Sequence, residues 1–335
     1  MVTLRMRIAL DVGDVYSFEH MRLAKQLGCT DVIGYGPRVL PGSDVGVRVG
    51  SEVWDFGELV RMKRRVEDFG LRLDVLEDGP PIEKMMLGLP GREEQLEHFC
   101  KSLENLGAAG IRVIKPQHMP PGWGNVATTS ASMPSRGGAT SRAFDYELVK
   151  NAPLTQYGVI SEEKMWEGLT YFLKGALPTA EQAGVKISLH PDDPPISPIQ
   201  GFARILRSVE AFDKMLEIYP SDHIGLLFCQ GCFAEMGVDV PAAIRHFGRR
   251  GKIFFAHFRD VVGAVPRFQE VFHDDGKTDM LEAMKAYYEV GFEGPMRPDH
   301  GLAVEGDPTG RLSKVFAIGY MKGLAECVEK HVKNA

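Results

Sequence analysis

The chain contains no run of about 18 consecutive apolar residues, which excludes an obvious membrane-spanning helix. Its first residues, "MVTLRMRIALDVGD", hold only a short apolar segment broken by arginines and followed at once by aspartates, unlike a signal peptide or an anchor. Cysteine is scarce. The five present (Cys29, Cys100, Cys229, Cys232, Cys327) are odd in number and irregularly spaced, which does not suit a disulfide framework. A long basic run is also missing, and the formal net charge of −6 argues against a grip on nucleic acid, which depends on neutralising phosphates. Internal repeats and low-complexity tracts are absent. These absences predict a reduced, cytoplasmic protein whose partner is a small molecule, with no nucleic acid and no membrane involved.

What the chain does have is alternation. Short β-rich runs recur at 6–12 ("MRIALDV"), 30–36 ("TDVIGYG"), 71–77 ("LRLDVLE"), 111–117 ("IRVIKPQ"), 185–191 ("VKISLHP"), 223–229 ("HIGLLFC"), 252–258 ("KIFFAHF") and 294–300 ("GPMRPDH"). Between them lie segments with apolar residues three and four apart, such as "DFGELVRMKRRVEDFG" and "REEQLEHFCKSLENLGAAG". Several close on a glycine before the next strand (Gly70, Gly110, Gly184, Gly251), the usual place for a left-handed helix cap. Eight strand–helix alternations within 335 residues predict a single (β/α)8 TIM barrel spanning 1–335. A doubly wound sheet shares the alternation, but "DVGDVYSF" replaces the glycine fingerprint expected after its first strand. One irregular stretch after the fourth strand, 117–160, is too long for a connector and reads as a functional loop or lid. A second insertion, 261–278, follows the seventh strand.

In such a barrel the side chains at strand C-termini converge on one mouth. The fifth to eighth runs end at His190, Cys229, His257 and Asp299, all metal-ligand types, each about one strand–helix unit from the next. Singly, each is an ordinary core residue. Together they supply two imidazoles, a thiolate and a carboxylate, a set suited to one divalent transition ion with coordination left for substrate. Softness alone favours zinc, cobalt or nickel for such a set. Cys229 and Cys232 form C-x-x-C, but no second pair exists, and placing Cys229 on a strand rather than at a helix start makes Cys232 a bystander. "RPDHG" (297–301) sets Arg297 and His300 beside Asp299, and "HFRD" sets Arg259 beside His257; arginine offers a fork for a substrate carboxylate and histidine a proton carrier near neutral pH. Asp192 and Asp193, in "HPDDPP", are candidates to orient His190 from behind.

"HPDDPP", "HFRD", "FHDDGKTDM" (272–280), "RPDHG" and "AIGYMKGL" (317–324) together resemble the mannonate dehydratases, metal-dependent enzymes of the xylose-isomerase-like barrel group. "SEVW" (51–54), "LGLP" (87–90), "MP" (119–120) and "AFD" (143–145) agree in order, so the resemblance covers nearly the whole chain. It implies conversion of D-mannonate to 2-keto-3-deoxy-D-gluconate and water, usually with manganese. His190, Cys229, His257 and Asp299 would then be the ligands, His300 and Tyr320 would share proton transfer, and Arg297 or Arg259 would clamp the carboxylate. The chain departs from the family at "CQGC", at Asp260, in the front loop "YGPRVLPGSDVGVRVG", and in "PGWGNVATT" and "SASMPSRGGATSR". The same donors on the same barrel also suit a sugar or sugar-acid isomerase or epimerase, or a dehydratase of another aldonate. A repair nuclease and a non-catalytic sugar-acid sensor are further readings, and assembly into a homo-oligomer is left open.

Overall fold

Eight short parallel strands hydrogen-bond side by side and close on themselves in the computed structural model of the chain, which describes residues 6–13, 15–37, 53–119 and 127–332. In chain order the barrel strands are β1 (Arg7–Asp11), β2 (Asp31–Gly34), β3 (Arg72–Leu76), β4 (Val113–Ile114), β7 (Lys186–Leu189), β8 (Ile224–Cys229), β9 (Ile253–His257) and β12 (Pro295–Arg297). All eight predicted runs are therefore strands. The last is only three residues long, yet it pairs with both β9 and β1 and closes the ring.

The helices between them are α1 (Phe18–Gln26), α2 (Phe56–Glu67), α3 (Glu83–Leu87), α4 (Arg92–Ala109), α5 (Glu162–Ala183), α6 (Val209–Ile218), α7 (Gln230–Glu235), α8 (Val240–Gly248), α9 (Met280–Glu289) and α10 (Arg311–Val332). Their starts are written locally. Asp55, Asp239 and Asp279 each accept a hydrogen bond from the backbone N–H three residues on, at 3.0, 2.9 and 2.9 Å, satisfying a donor that has no partner inside the helix. Gly110 and Gly184 end α4 and α5 at φ of 76° and 65°, a left-handed turn that glycine adopts without a Cβ penalty.

Two apolar layers result. Ala9, Ile33, Val75, Val113, Leu227 and Phe255 fill the inside of the barrel, while a larger cluster glues the strands to the surrounding helices.

Both insertions contain strands. The first contains β5 (Ser130–Pro134) and β6 (Thr140–Asp145), and the second contains β10 (Val261–Ala264) and β11 (Arg267–Glu270). The four form one antiparallel sheet in the order β10–β11–β6–β5, with Phe144 opposite Phe268 and their rings 5.6 Å apart. Thr140 exchanges two backbone hydrogen bonds with Ala303, at 2.9 and 3.0 Å, tying this sheet to the chain that leaves the barrel mouth. The Ser- and Gly-rich composition of 130–141 concealed these strands, because they are specified by a distant pairing partner rather than by local propensity. Residues 38–50 of the front loop, Ser51 and Glu52 of "SEVW", and residues 120–126 lie outside the described residues.

Candidate metal centre and active site

The pleat of the barrel builds the site. Side chains two residues apart share one face of a strand. Moving two residues along from Ala9, Ile33, Val75, Val113, Leu227 and Phe255 gives Asp11, Tyr35, Glu77, Lys115, Cys229 and His257. The apolar filling of the barrel thus ends in a polar layer at the C-terminal mouth. Above it lies a cavity of about 360 Å³, lined also by Gln117, His118, Arg142, His190, Arg297, Asp299, His300 and Lys314.

The four expected ligands arrive on adjacent strands. His190 follows β7, Cys229 ends β8, His257 ends β9, and Asp299 stands two residues beyond β12 at φ +66°, a left-handed turn that few non-glycine residues occupy. Cys229 and His257 are register partners, as are His257 and Arg297. Donor atoms of Cys229, His257 and Asp299 lie within 4.8 Å of one another, and those of His190, Cys229 and Cys232 do likewise. The His190 and His257 rings are 5.3 Å apart. His190 Nδ1 faces the Pro191 carbonyl at 2.6 Å, which leaves Nε2 as the coordinating nitrogen.

The charge distribution suits a cation. His257 is buried with Nδ1 3.2 Å from Asp299 and Nε2 3.1 Å from Glu77, yet neither nitrogen is aligned for a hydrogen bond. Burial and Arg297 disfavour its charge, but the carboxylates of Asp299 and Glu77 outweigh them and raise its pKa to about 10. For Asp299, burial is outweighed by His257, His300 and Arg297, which hold it well below the usual carboxylate range. The Cys229 thiol is also pushed well down: burial opposes ionisation, and the contact from Cys232 and the charge of Arg259 overcome it. A thiolate, a carboxylate and two imidazoles, in two overlapping groups that share Cys229, are a divalent-ion donor set.

Around these donors the other expected residues take different parts. Arg259 is 2 % exposed and does not line the cavity. Its Nε donates to Asp299 at 2.8 Å, Nη1 to Glu235 at 2.8 Å and Nη2 to Asp193 at 2.9 Å, with Cys232 Sγ at 3.3 Å. This corrects the clamp reading: every nitrogen is occupied, and the residue steadies Asp299 from behind. The triplet Asp193, Cys232 and Glu235, close enough to hold an ion, already holds this guanidinium. Gly231 is explained by the same packing, since a Cβ there would sit 2.0 Å from Arg259 Nη1. Cys232 is therefore not a bystander, and Cys229 does stand at a helix start, as the N-cap of α7.

Among the described residues, neither Asp192 nor Asp193 makes a hydrogen bond or ion pair with His190. Asp192 accepts from Leu206 N at 2.8 Å and faces His118 Nε2 at 3.1 Å, while Asp193 supports Arg259. Arg297 lines the cavity but is bound bidentately to Glu77, at 2.7 and 2.8 Å, and lies 3.0 Å from Asp299. His300 faces the cavity; its Nδ1 donates to Glu270 at 2.7 Å, its Nε2 lies 3.4 Å from Arg142, and Asp299 and Glu270 together raise its pKa against burial. Tyr320 lies elsewhere. It sits in α10, stacked on Phe316 at 6.3 Å, and the acids that act on it are Asp274, Asp279 and Asp260, none of which lines the cavity.

Three residues from the resembling motifs gain structural roles. His273 Nε2 donates to the Pro298 backbone carbonyl at 2.8 Å; its pKa falls to about 4 through burial, so the ring is neutral and this hydrogen bond pins the approach to Asp299. Asp260 accepts from Thr278 N and Oγ1 at 2.6 and 2.8 Å, and Gly276 leaves it room, since a Cβ there would meet its carboxylate at 2.2 Å.

A sequence model described as D-mannonate dehydratase (UxuA) matches residues 25–154 and 147–335. The chain belongs to the D-mannonate dehydratase family. Among relatives, it is 32% identical to the mannonate dehydratase of Thermotoga maritima (84% of this chain, 89% of that one) and 34% identical to mannonate dehydratase 2 of Halalkalibacterium halodurans (84% and 90%). The crystal structure of mannonate dehydratase from Streptococcus suis superposes with a TM-score of 0.85 at 29% identity, covering 99% of this chain and 95% of that one. An L-ribulose 3-epimerase shares the barrel alone, with a TM-score of 0.58 at 15% identity over 98% and 97% of the two chains. The mannonate dehydratases are hydro-lyases, and this family member accordingly pairs a metal-donor cluster with a polar cavity on a xylose-isomerase-like barrel. No helix among the described residues is long and apolar enough to cross a membrane.

Proposed function

We propose that this chain removes water from D-mannonate to give 2-keto-3-deoxy-D-gluconate, using one divalent metal ion. The observation that carries the reading is the convergence of His190, Cys229, His257 and Asp299 beneath a cavity that His300 enters with Nε2 unshared by any carboxylate hydrogen bond. Those four residues would hold the ion, which when bound supplies positive charge where the substrate's oxygens become negative. Manganese is the ion the family resemblance favours.

His300 Nδ1–H is committed to Glu270, so Nε2 is the nitrogen left to take the C2 proton of the sugar acid. The C–H electron pair forms the C2–C3 double bond as the C3–O bond breaks. The proton on His300 then passes to the departing oxygen, which leaves as water, and the enol becomes the 2-keto acid. With Tyr320 away from the cavity, both transfers fall to His300. The sheet of β5, β6, β10 and β11 serves as a lid over this chemistry, and a cytoplasmic location is part of the reading.

The test is incubation of purified protein with D-mannonate and each of Mn2+, Zn2+, Co2+ and Ni2+, following the 2-keto-3-deoxy product by NMR. Steady product formation with at least one ion is expected. No consumption with any ion, or an aldose or ketose product, would overturn the proposal.

A further inference from the structure

The cations lining the cavity are unevenly balanced. Arg297 is bound to Glu77, and Lys314 Nζ donates to both oxygens of Asp11 at 3.0 and 2.8 Å. Lys115 and Arg142 differ from these. Among the described residues, neither has a carboxylate at ion-pairing distance: Lys115 Nζ reaches only the neutral Gln117 Oε1 at 3.4 Å, and Arg142 Nη1 reaches only His300 Nε2 at 3.4 Å. Lys115 rises from the end of β4 in the polar layer, and Arg142 descends from β6 of the four-stranded sheet. Two cations from opposite structures, facing one cavity with no carboxylate at ion-pairing distance from either among the described residues, leave room for a ligand carboxylate.

We infer that Arg142 and Lys115 are the carboxylate clamp of this site, and that Arg142 sets which carbon of the bound acid meets His300. The inference rests on the sugar-acid reading above. A carboxylate oxygen hydrogen-bonded to Arg142 lies beside the guanidinium that is itself 3.4 Å from His300 Nε2. The carbon next to that carboxylate, C2, is then the first carbon presented to Nε2. The clamp thereby selects acids over the corresponding neutral polyols, and it couples binding to the sheet that carries Arg142.

The test compares D-mannonate with D-mannitol, which has the same skeleton but a hydroxymethyl group in place of the carboxylate. In Arg142→Met and Lys115→Met the KM for D-mannonate should rise about 10-fold or more, the scale of a lost charged hydrogen bond. Inhibition by D-mannitol and metal content should stay unchanged. Arg142→Lys should fall between, keeping the charge but losing the fork. An unchanged KM in both Met variants, or equal weakening of mannonate and mannitol, overturns the clamp. If the wild-type chain turns over no D-mannonate, its thermal stabilisation by sugar acids over polyols is measured instead. A preference for acids that vanishes in Arg142→Met supports the clamp while the reaction fails, and a preference that survives in both Met variants overturns the clamp as well.

Discussion

Glu270, on a strand outside the barrel, accepts a 2.7 Å hydrogen bond from Nδ1 of His300, on the loop that follows the last barrel strand. The pair joins two parts of the chain that are also tied through β6, where β11 hydrogen-bonds β6 and Thr140 of β6 bonds Ala303. A buried carboxylate in this position fixes the ring's tautomer and orientation. Glu270→Gln should lower kcat about 10- to 100-fold with little change in KM. Nitrogen NMR of the labelled ring should report a changed His300 tautomer in the variant. A wild-type kcat would show that Glu270 only packs.

Removal of the ion should separate ligands from supports. Titration with Mn2+ should raise the thermal midpoint of the wild-type protein, about 2.7 kcal/mol of stabilisation accruing at one hundred times the dissociation constant. His190→Ala and Cys229→Ser should lose both this response and bound metal after dialysis. Asp192→Asn should keep its metal, because Asp192 faces His118 and Leu206 rather than a ligand. Metal analysis after gel filtration checks all three.

Tyr320→Phe should retain turnover to within about 2-fold, the effect expected of a partly exposed substitution away from the chemistry. The ring stacks on Phe316, and neither residue lines the cavity. A loss of 100-fold or so, the scale of a missing general acid, would return it to the reaction.

The contact between α5 and α3 gives a prediction about stability alone. Gly168 in α5 lies so close to Met86 that a Cβ would sit 1.9 Å from its backbone oxygen, which has no rotamer with which to yield. Gly168→Ala should cost about 1–3 kcal/mol in chemical denaturation, with kcat per folded molecule preserved. An unchanged midpoint would contradict the packing.

The sequence carried the barrel and its candidate ligands further than it carried the rest of the site. His190, Cys229, His257 and Asp299 were legible because each closes or follows an apolar strand, and strand ends face the mouth by geometry. Asp11, Glu77 and Lys115 obey the same rule on the first, third and fourth strands, and extending the test to those ends would have found them. Arg142 and Glu270 had no such signal. Their placement depends on pairing between two insertions, and nothing in "TSRAFD" or "RFQE" announces a distant partner. Tyr320 and Arg259 were misplaced for the complementary reason: neighbouring a motif in sequence does not decide which way a side chain turns.

Because β6 is hydrogen-bonded to β11, the two insertions cannot be exchanged separately. Losing either would expose a row of unpaired backbone donors and acceptors beside the cavity, the kind of edge that folded proteins avoid. A change of substrate in this scaffold would therefore have to be inherited or engineered as a matched pair of loops, grafted onto a barrel whose ion-holding half can stay as it is.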